Sequence, residues 1–418
     1  MSNDLPDLAH ARTRALRQPE RIGAGSAAIA RVAALLLYAL AGFACDDPTG
    51  LETRDDALRE REHEPERPGY AVGTVRIQVP VSEGRTLPVQ VWYPAVERAR
   101  RESERGRPLL EIEPETREHN LLEQLLAAAP EPGATHVMHA ADAPAPLRQA
   151  APFPLIVFSH CADCVRYSTL TVAEHLASLG FVVAAPDHLR NTVYDLLEGN
   201  SIGLDLPGFL PQRVADMTAV LNTMLDRNAR ALPNGLRGRI DAERVGAYGH
   251  SFGGLTTGLV VEQDARVRAG VAIAIHIAIP AGAEAQYPPG VRLADLSRMT
   301  KPFMFLVASE DLPLFNASVD DNFHRYLGQA WRVTVRDTGH YSFTDICGMP
   351  APTAPGSCSP APRQTDPNTT FEPLESERSR ELAKQYVAAF FERALLGRGR
   401  GPRGVPDLGD AVVEYNKR

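Results

Sequence analysis

Short apolar runs alternate with longer amphipathic stretches from Phe153 to Leu395, a pattern that predicts strand followed by helix, repeated. Pro154 to Ser159 reads as a buried strand, Thr169 to Leu179 as an amphipathic helix and Phe181 to Ala185 as the next strand. A helix is expected over Pro211 to Asn228, with Val214, Met217, Leu221 and Leu225 on one face. Strands follow at Val245 to Tyr248, Gly270 to Ile279, Phe303 to Ala308 and Trp331 to Arg336. Helices are expected over Phe252 to Val261 and Asp320 to Leu327, and a closing one over Glu377 to Leu395 turns Leu382, Val387, Phe390 and Phe391 inward. Ahead of this region, Val75 to Val79 and Leu87 to Tyr93 alternate as two antiparallel strands. Gly84 supplies the positive φ of the turn at Ser82 to Arg85. Strands alternating with helices build an α/β architecture, a mostly parallel sheet covered on both faces. Chemistry on such a sheet lies beyond the carboxyl ends of its strands.

One strand end carries a specific pattern. Val245-Gly246-Ala247-Tyr248-Gly249-His250-Ser251-Phe252-Gly253-Gly254 runs from an apolar strand into a serine flanked by glycines and leaves through small residues. That is the G-x-S-x-G nucleophile elbow, a strained strand-to-helix turn that lifts a serine oxygen above the sheet. Gly249 and Gly253 suit positions where a Cβ would meet the neighbouring strand or helix. A glycine-rich turn whose serine merely caps a helix would share the letters but needs no preceding strand.

Serine at its free pKa is a poor nucleophile and needs a base held by a third group. After this elbow the partners follow in the order acid, then histidine. Downstream of Ser251 stand three histidines, His276, His324 and His340. His276 falls inside an expected strand, as a packed core residue, and His324 on the surface of an expected helix. His340 follows the last strand in a glycine-containing loop, where a base can reach the elbow, so it is assigned as general base and then acid. The loop after Phe303 to Ala308 reads Ser309-Glu310-Asp311, and Asp311 is preferred over Glu310 as the group that orients the imidazole. Two amides are expected to face the developing oxyanion: Phe252 N–H, directly after the nucleophile, and Ala162 N–H, with Cys161 N–H as the alternative. His160 reads as a residue that braces this loop.

The ends of the chain differ in character from its middle. Arg12, Arg14, Arg17, Arg21 and Arg31 precede an uncharged stretch, Val32 to Ala44, shorter than the ~20 apolar residues of a membrane-spanning helix. Residues 1–44 therefore read as a secretory signal peptide. Ala41-Gly42-Phe43-Ala44-Cys45-Asp46 also resembles a bacterial lipoprotein signal, with Gly42 where leucine is usual, which would anchor the protein to a membrane through lipid on Cys45. Simple cleavage after Ala44 is the alternative. Residues 45–69, rich in charge and proline, read as a flexible tether, and 397–418 as a loose tail. The catalytic domain is expected over 70–396, with an insertion at 96–151 that holds a helix over Glu118 to Ala129. A net charge of −8 excludes the electrostatic footprint of a nucleic-acid binder.

The chain has five cysteines. With Cys45 lipidated, four remain for an oxidising compartment, and of three possible pairings the sequence-local one, Cys161–Cys164 with Cys347–Cys358, is favoured. Cys161-Ala162-Asp163-Cys164 has the spacing of a thioredoxin-like redox motif, but the surrounding chain is wrong for that fold. A disulfide stiffening the oxyanion loop fits better.

Phe158-Ser159-His160, Pro186-Asp187-His188, the Gly249–Gly254 elbow and Gly339-His340-Tyr341-Ser342-Phe343-Thr344-Asp345 together resemble the bacterial platelet-activating-factor acetylhydrolase and dienelactone-hydrolase-like group of α/β-hydrolases. The resemblance runs over roughly Tyr70 to Leu396 outside the insertion. It implies the α/β-hydrolase fold and a serine esterase acting on small or lipid carboxylic esters, short-acyl or oxidised phospholipids included, with neither metal nor organic cofactor. The chain departs from the group at Cys161, where glycine is typical, and in the strand after the elbow, which carries no carboxylate.

Overall fold

The computed structural model describes residues 69–416, apart from 115, 128–136, 348–357 and 365. The expected signal peptide, the candidate lipid site Cys45 and nearly all of the expected tether lie outside the described residues.

Ten strands form one sheet: β1 (Ala71–Pro80), β2 (Thr86–Ala95), β3 (Ala141–Asp142), β4 (Phe153–Ser159), β5 (Val182–Pro186), β6 (Ile240–His250), β7 (Val267–Ile273), β8 (Phe303–Ala308), β9 (Ala330–Val335) and β10 (Ala411–Asn416). Their spatial order is β10-β9-β8-β7-β6-β4-β5-β2-β1-β3. Every pair from β9 through β5 is parallel, while β2 with β5, β1 with β2, and β10 with β9 are antiparallel. Central parallel strands are covered on both faces, so β4 and β8 are buried along their whole length. The pleat sorts β4: Phe153, Leu155 and Val157 enter one core, Ile156 and Phe158 the other.

Among the described residues, six longer helices complete the layers: α1 (Arg117–Ala127), α2 (Leu170–Ser178), α3 (Leu206–Leu225), α4 (Phe252–Gln263), α5 (Pro313–Arg325) and α6 (Ser376–Leu396). Side chains of α3, α4 and α5 pack into one core, those of α2 and α6 into the opposite one. The strand after β4 lies on one side of it and the strand after that on the other. The switch point therefore falls between β4 and β6, where open α/β sheets hold their ligands. The carboxyl ends that meet there are Ser159 and His250.

Four expectations need correction. The strand expected to run to Ile279 ends at Ile273, because Ala274 turns to φ +56° and the side chain of Asn322 takes the amides of Ile277 and Ala278. His276 thus lies in a loop beyond the strand. Helix α5 starts earlier than expected, with Pro313 at its first position, where a missing N–H costs nothing. Helix α3 likewise begins at Leu206, capped by Asp205, which accepts the Gly208 amide at 3.0 Å. The tail expected to be loose contributes β10, which covers the edge of β9 and stacks Tyr415 on Trp331 at 4.7 Å between ring centres. The insertion is built into the domain: β3 extends the sheet beside β1, and its Glu113 ion-pairs at 2.7 Å with Arg166, both side chains fully buried.

Candidate active site

The end of β6 delivers Ser251 with φ +53° and ψ −120°, a region that L-residues avoid. The surrounding backbone enforces it. Ser251 N–H donates to Ile273 O at 2.9 Å and Gly254 N–H to Ser251 O at 2.8 Å. A Cβ on Gly249 would lie 2.1 Å from the Gly253 oxygen, and one on Gly253 would lie 1.8 Å from the Ser159 oxygen. Only glycine fits at either place. The second contact presses the elbow against the end of β4, at Ser159 and His160, where the loop that goes on to Cys161 and Ala162 begins.

Beyond β9, the imidazole of His340 places Nε2 2.8 Å from Ser251 Oγ and Nδ1 2.8 Å from Asp311 Oδ2. Asp311 follows β8, as the order of elements requires, and its other oxygen accepts the Leu312 amide at 2.7 Å. Both side chains are buried. The two loops are tied by Glu310 N–H donating to Thr338 O at 2.8 Å, and Ser342 Oγ accepts Gly339 N–H at 3.0 Å. The site thus brings together Ser251, His340 and Asp311, side chains from three separate loops.

The remaining candidates sort cleanly. Glu310 turns away from the imidazole, taking Arg363 at 2.6 Å and the Gln364 amide at 3.0 Å. His324 is exposed on α5. His276 is buried, its Nε2 2.7 Å from Tyr287 Oη, and the Phe315 ring neighbours both its ring and that of His340. Burial pushes its pKa down to about 4. His160 does brace its loop: its Nε2 accepts the His188 amide at 3.0 Å, so Nδ1 carries the proton and donates to Cys161 O at 2.7 Å. Cys161 pairs with Cys164 and Cys347 with Cys358, as favoured from sequence. Tyr341 and Ile346, just after His340, pack on the first of these disulfides.

Sequence reasoning passed over His250. From inside the elbow its Nε2–H donates to His340 O at 2.7 Å, and its ring lies 5.0 Å from that of His340. Desolvation, with His340 beside it, pushes its pKa down to about 3, so it is neutral near pH 7. The only signal was its place before the serine, a variable position of the motif. Among the described residues, no cluster of His, Cys, Asp or Glu could hold a metal ion, and no helix is long and apolar enough to cross a membrane.

Residues 69–194 match the family model for platelet-activating factor acetylhydrolase, isoform II. The platelet-activating factor acetylhydrolase of Cavia porcellus is 24% identical over 231 residues, covering 48% of this chain and 50% of its own. That of Canis lupus familiaris is 29% identical over 160 residues, 31% of this chain and 36% of its own. The chain spans about half the length, or less, of these curated relatives. A solved ferulic acid esterase from Streptomyces cinnamoneus superposes with a TM-score of 0.59 at 24% identity, covering 84% of this chain and 98% of that one, a likeness of fold. The fold is that of the α/β-hydrolases, and within it residues 69–194 are similar to the platelet-activating factor acetylhydrolases.

Proposed function

We propose that the chain is a serine esterase that cleaves carboxylic esters through an acyl-enzyme, with Ser251 as nucleophile, His340 as base and Asp311 as the group that orients it. One observation carries the reading: a single imidazole is hydrogen-bonded to the strained Ser251 hydroxyl on one side and to a buried carboxylate on the other. With Asp311 accepting from Nδ1–H, Nε2 is left bare toward Oγ, the tautomer that can take a proton. Ser251 Oγ attacks the ester carbonyl as His340 removes its proton. The amides of Phe252 and Ala162 receive the oxyanion, and His340 then protonates the departing alcohol. Water, deprotonated by the same imidazole, releases the acid and restores the hydroxyl.

The preferred substrates are short-acyl esters or phospholipids with a short acyl chain, in keeping with the acetylhydrolase likeness. The apolar segments Leu196 to Leu210, which runs into the first turn of α3, and Ile279 to Leu296 wall the acyl site. The protein is exported, residues 1–44 serve as its signal, and lipid on Cys45 holds it at a membrane. The two disulfides support the oxidising compartment.

A fluorophosphonate probe should label the wild-type protein and not Ser251→Ala, and p-nitrophenyl esters of rising chain length, tested beside a short-acyl phospholipid, a thioester and a peptide, should rank the oxygen esters first. An unlabelled Ser251 would leave a binding protein on a hydrolase fold; thioester or peptide preference would reassign the chemistry. Palmitate incorporation that disappears in Cys45→Ala would support the anchor, and its persistence would refute it.

A further inference from the structure

Behind the site lies a second serine, histidine and aspartate, fully buried. Ser159 Oγ stands 3.0 Å from His188 Nε2, and His188 Nδ1 stands 2.9 Å from Asp216 Oδ2. The Ser159, His188 and Asp216 side chains have no exposed surface, so no ester can reach this serine. The guanidinium of Arg213 also occupies it, with Nη2 donating to Ser159 Oγ at 3.1 Å. The proton order follows: Arg213 donates to Ser159, Ser159 to His188, and His188 to Asp216, whose other oxygen is held by Arg85 at 2.6 Å.

Arg213 is equally buried, and its hydrogen-bond partners are all neutral. It donates to Asn191 Oδ1 at 2.7 Å, to Thr256 Oγ1 at 3.3 Å and, closely, to the His160 carbonyl, while Asp216 and Asp163 act on it only through space. Its guanidinium carbon lies 4.5 Å from the centre of the Phe252 ring. Burial pulls its pKa down to about 9, which leaves it cationic near pH 7. The His160 carbonyl belongs to the same peptide unit as Cys161 N–H, and the Cys161 carbonyl, which accepts from His160 Nδ1, to the same unit as Ala162 N–H. Each of the two candidate amides after β4 therefore has the carbonyl of its own peptide pinned by a buried donor, and the donor at the Cys161 peptide is charged. Hydrogen bonds in series polarise one another in a dry site.

We infer that Arg213 is a positioning residue for the oxyanion hole, its charge fixing and polarising the peptides after β4 from behind, with the Ser159-His188-Asp216 chain holding it in place. This rests on the esterase reading above. A group that acts on the oxyanion is needed in the transition state and hardly in substrate binding, so turnover and affinity for a tetrahedral anion fall together while KM stays.

The test compares wild type with Arg213→Gln, Arg213→Lys and Arg213→Met, reading kcat and KM on p-nitrophenyl acetate, inhibition by a trifluoromethyl ketone and thermal unfolding. Loss of the charge should lower kcat and ketone affinity by about 100-fold, the scale of one lost oxyanion donor, with KM within about threefold. Arg213→Lys, which keeps a cationic donor, should recover about tenfold of both relative to Arg213→Gln. Gln keeps a donor without charge, so its comparison with Lys decides the matter should Arg213→Met not fold. Equal kcat and ketone affinity in folded Gln and Lys variants, whatever their unfolding temperatures, would overturn the proposal. Wild-type protein that neither hydrolyses the ester nor binds the ketone would instead sink the esterase reading itself.

Discussion

Replacing Asp311 by asparagine keeps the shape of the side chain and reverses hydrogen bonding at one atom. The Leu312 amide donates to Oδ1 at 2.7 Å, so the new carboxamide must leave its oxygen there and turn its NH2 toward His340 Nδ1. Flipping would set two donors against each other. Nδ1 then has to accept, the ring proton moves to Nε2, and Nε2 meets Ser251 Oγ as a donor across the 2.8 Å contact. Nothing remains to take the serine proton. A triad locked in the wrong tautomer loses about 10⁴-fold in kcat, roughly 5.4 kcal/mol of barrier. The hydrogen bonds are kept in number, so stability should change by about 1 kcal/mol or less. Turnover of p-nitrophenyl acetate, normalised by active-site titration, measures the effect, and fluorophosphonate labelling should slow in step. An Asp311→Asn protein that folds and keeps a tenth or more of wild-type kcat would refute the reasoning, ~1.4 kcal/mol being too small for a lost base.

Glu310→Gln breaks the contact with Arg363 but leaves the imidazole untouched, so kcat should stay within about threefold; a loss near that of Asp311→Asn would make Glu310 the orienting acid. Gly253→Ala drives a methyl into the Ser159 carbonyl, a backbone atom that cannot rotate away, and should destabilise by about 3 kcal/mol or more; a urea midpoint near wild type would show that the elbow has slack. For His250, burial holds the folded pKa near 3, below the unfolded value of about 6.5. The unfolded chain binds more protons between these values, so the stability from neutral His250 is present above pH 6.5 and lost as pH falls toward 3. From pH 7 to 5.5, wild type should lose about 1 kcal/mol relative to His250→Gln in urea unfolding, and an unchanged gap between the two would contradict a neutral, buried ring.

Much of this could be read without coordinates, because certain local rules are strict. Strand β4 and strand β8 are buried on both faces and so appear as plain apolar runs. The elbow is legible because its two glycines answer a steric demand made within a few residues. Boundaries failed where a distant group took over the backbone, as Asn322 does after Ile273. Strands β3 and β10 failed for a related reason: an edge strand is made by its partner, and the two residues of β3 show no period.

The chemistry divides along the same line. Residue type, order and position after a strand were enough to single out Ser251, Asp311 and His340, since a parallel sheet exposes its useful atoms only at one end. Which of Glu310 and Asp311 faces the imidazole, what the His250 and Arg213 side chains touch, and that a second serine, histidine and aspartate sit sealed beneath the site were decided by the packed structure alone. Those roles depend on direction, burial and on atoms far apart in the chain, and periodicity along a sequence reports only the side of an element on which a residue falls.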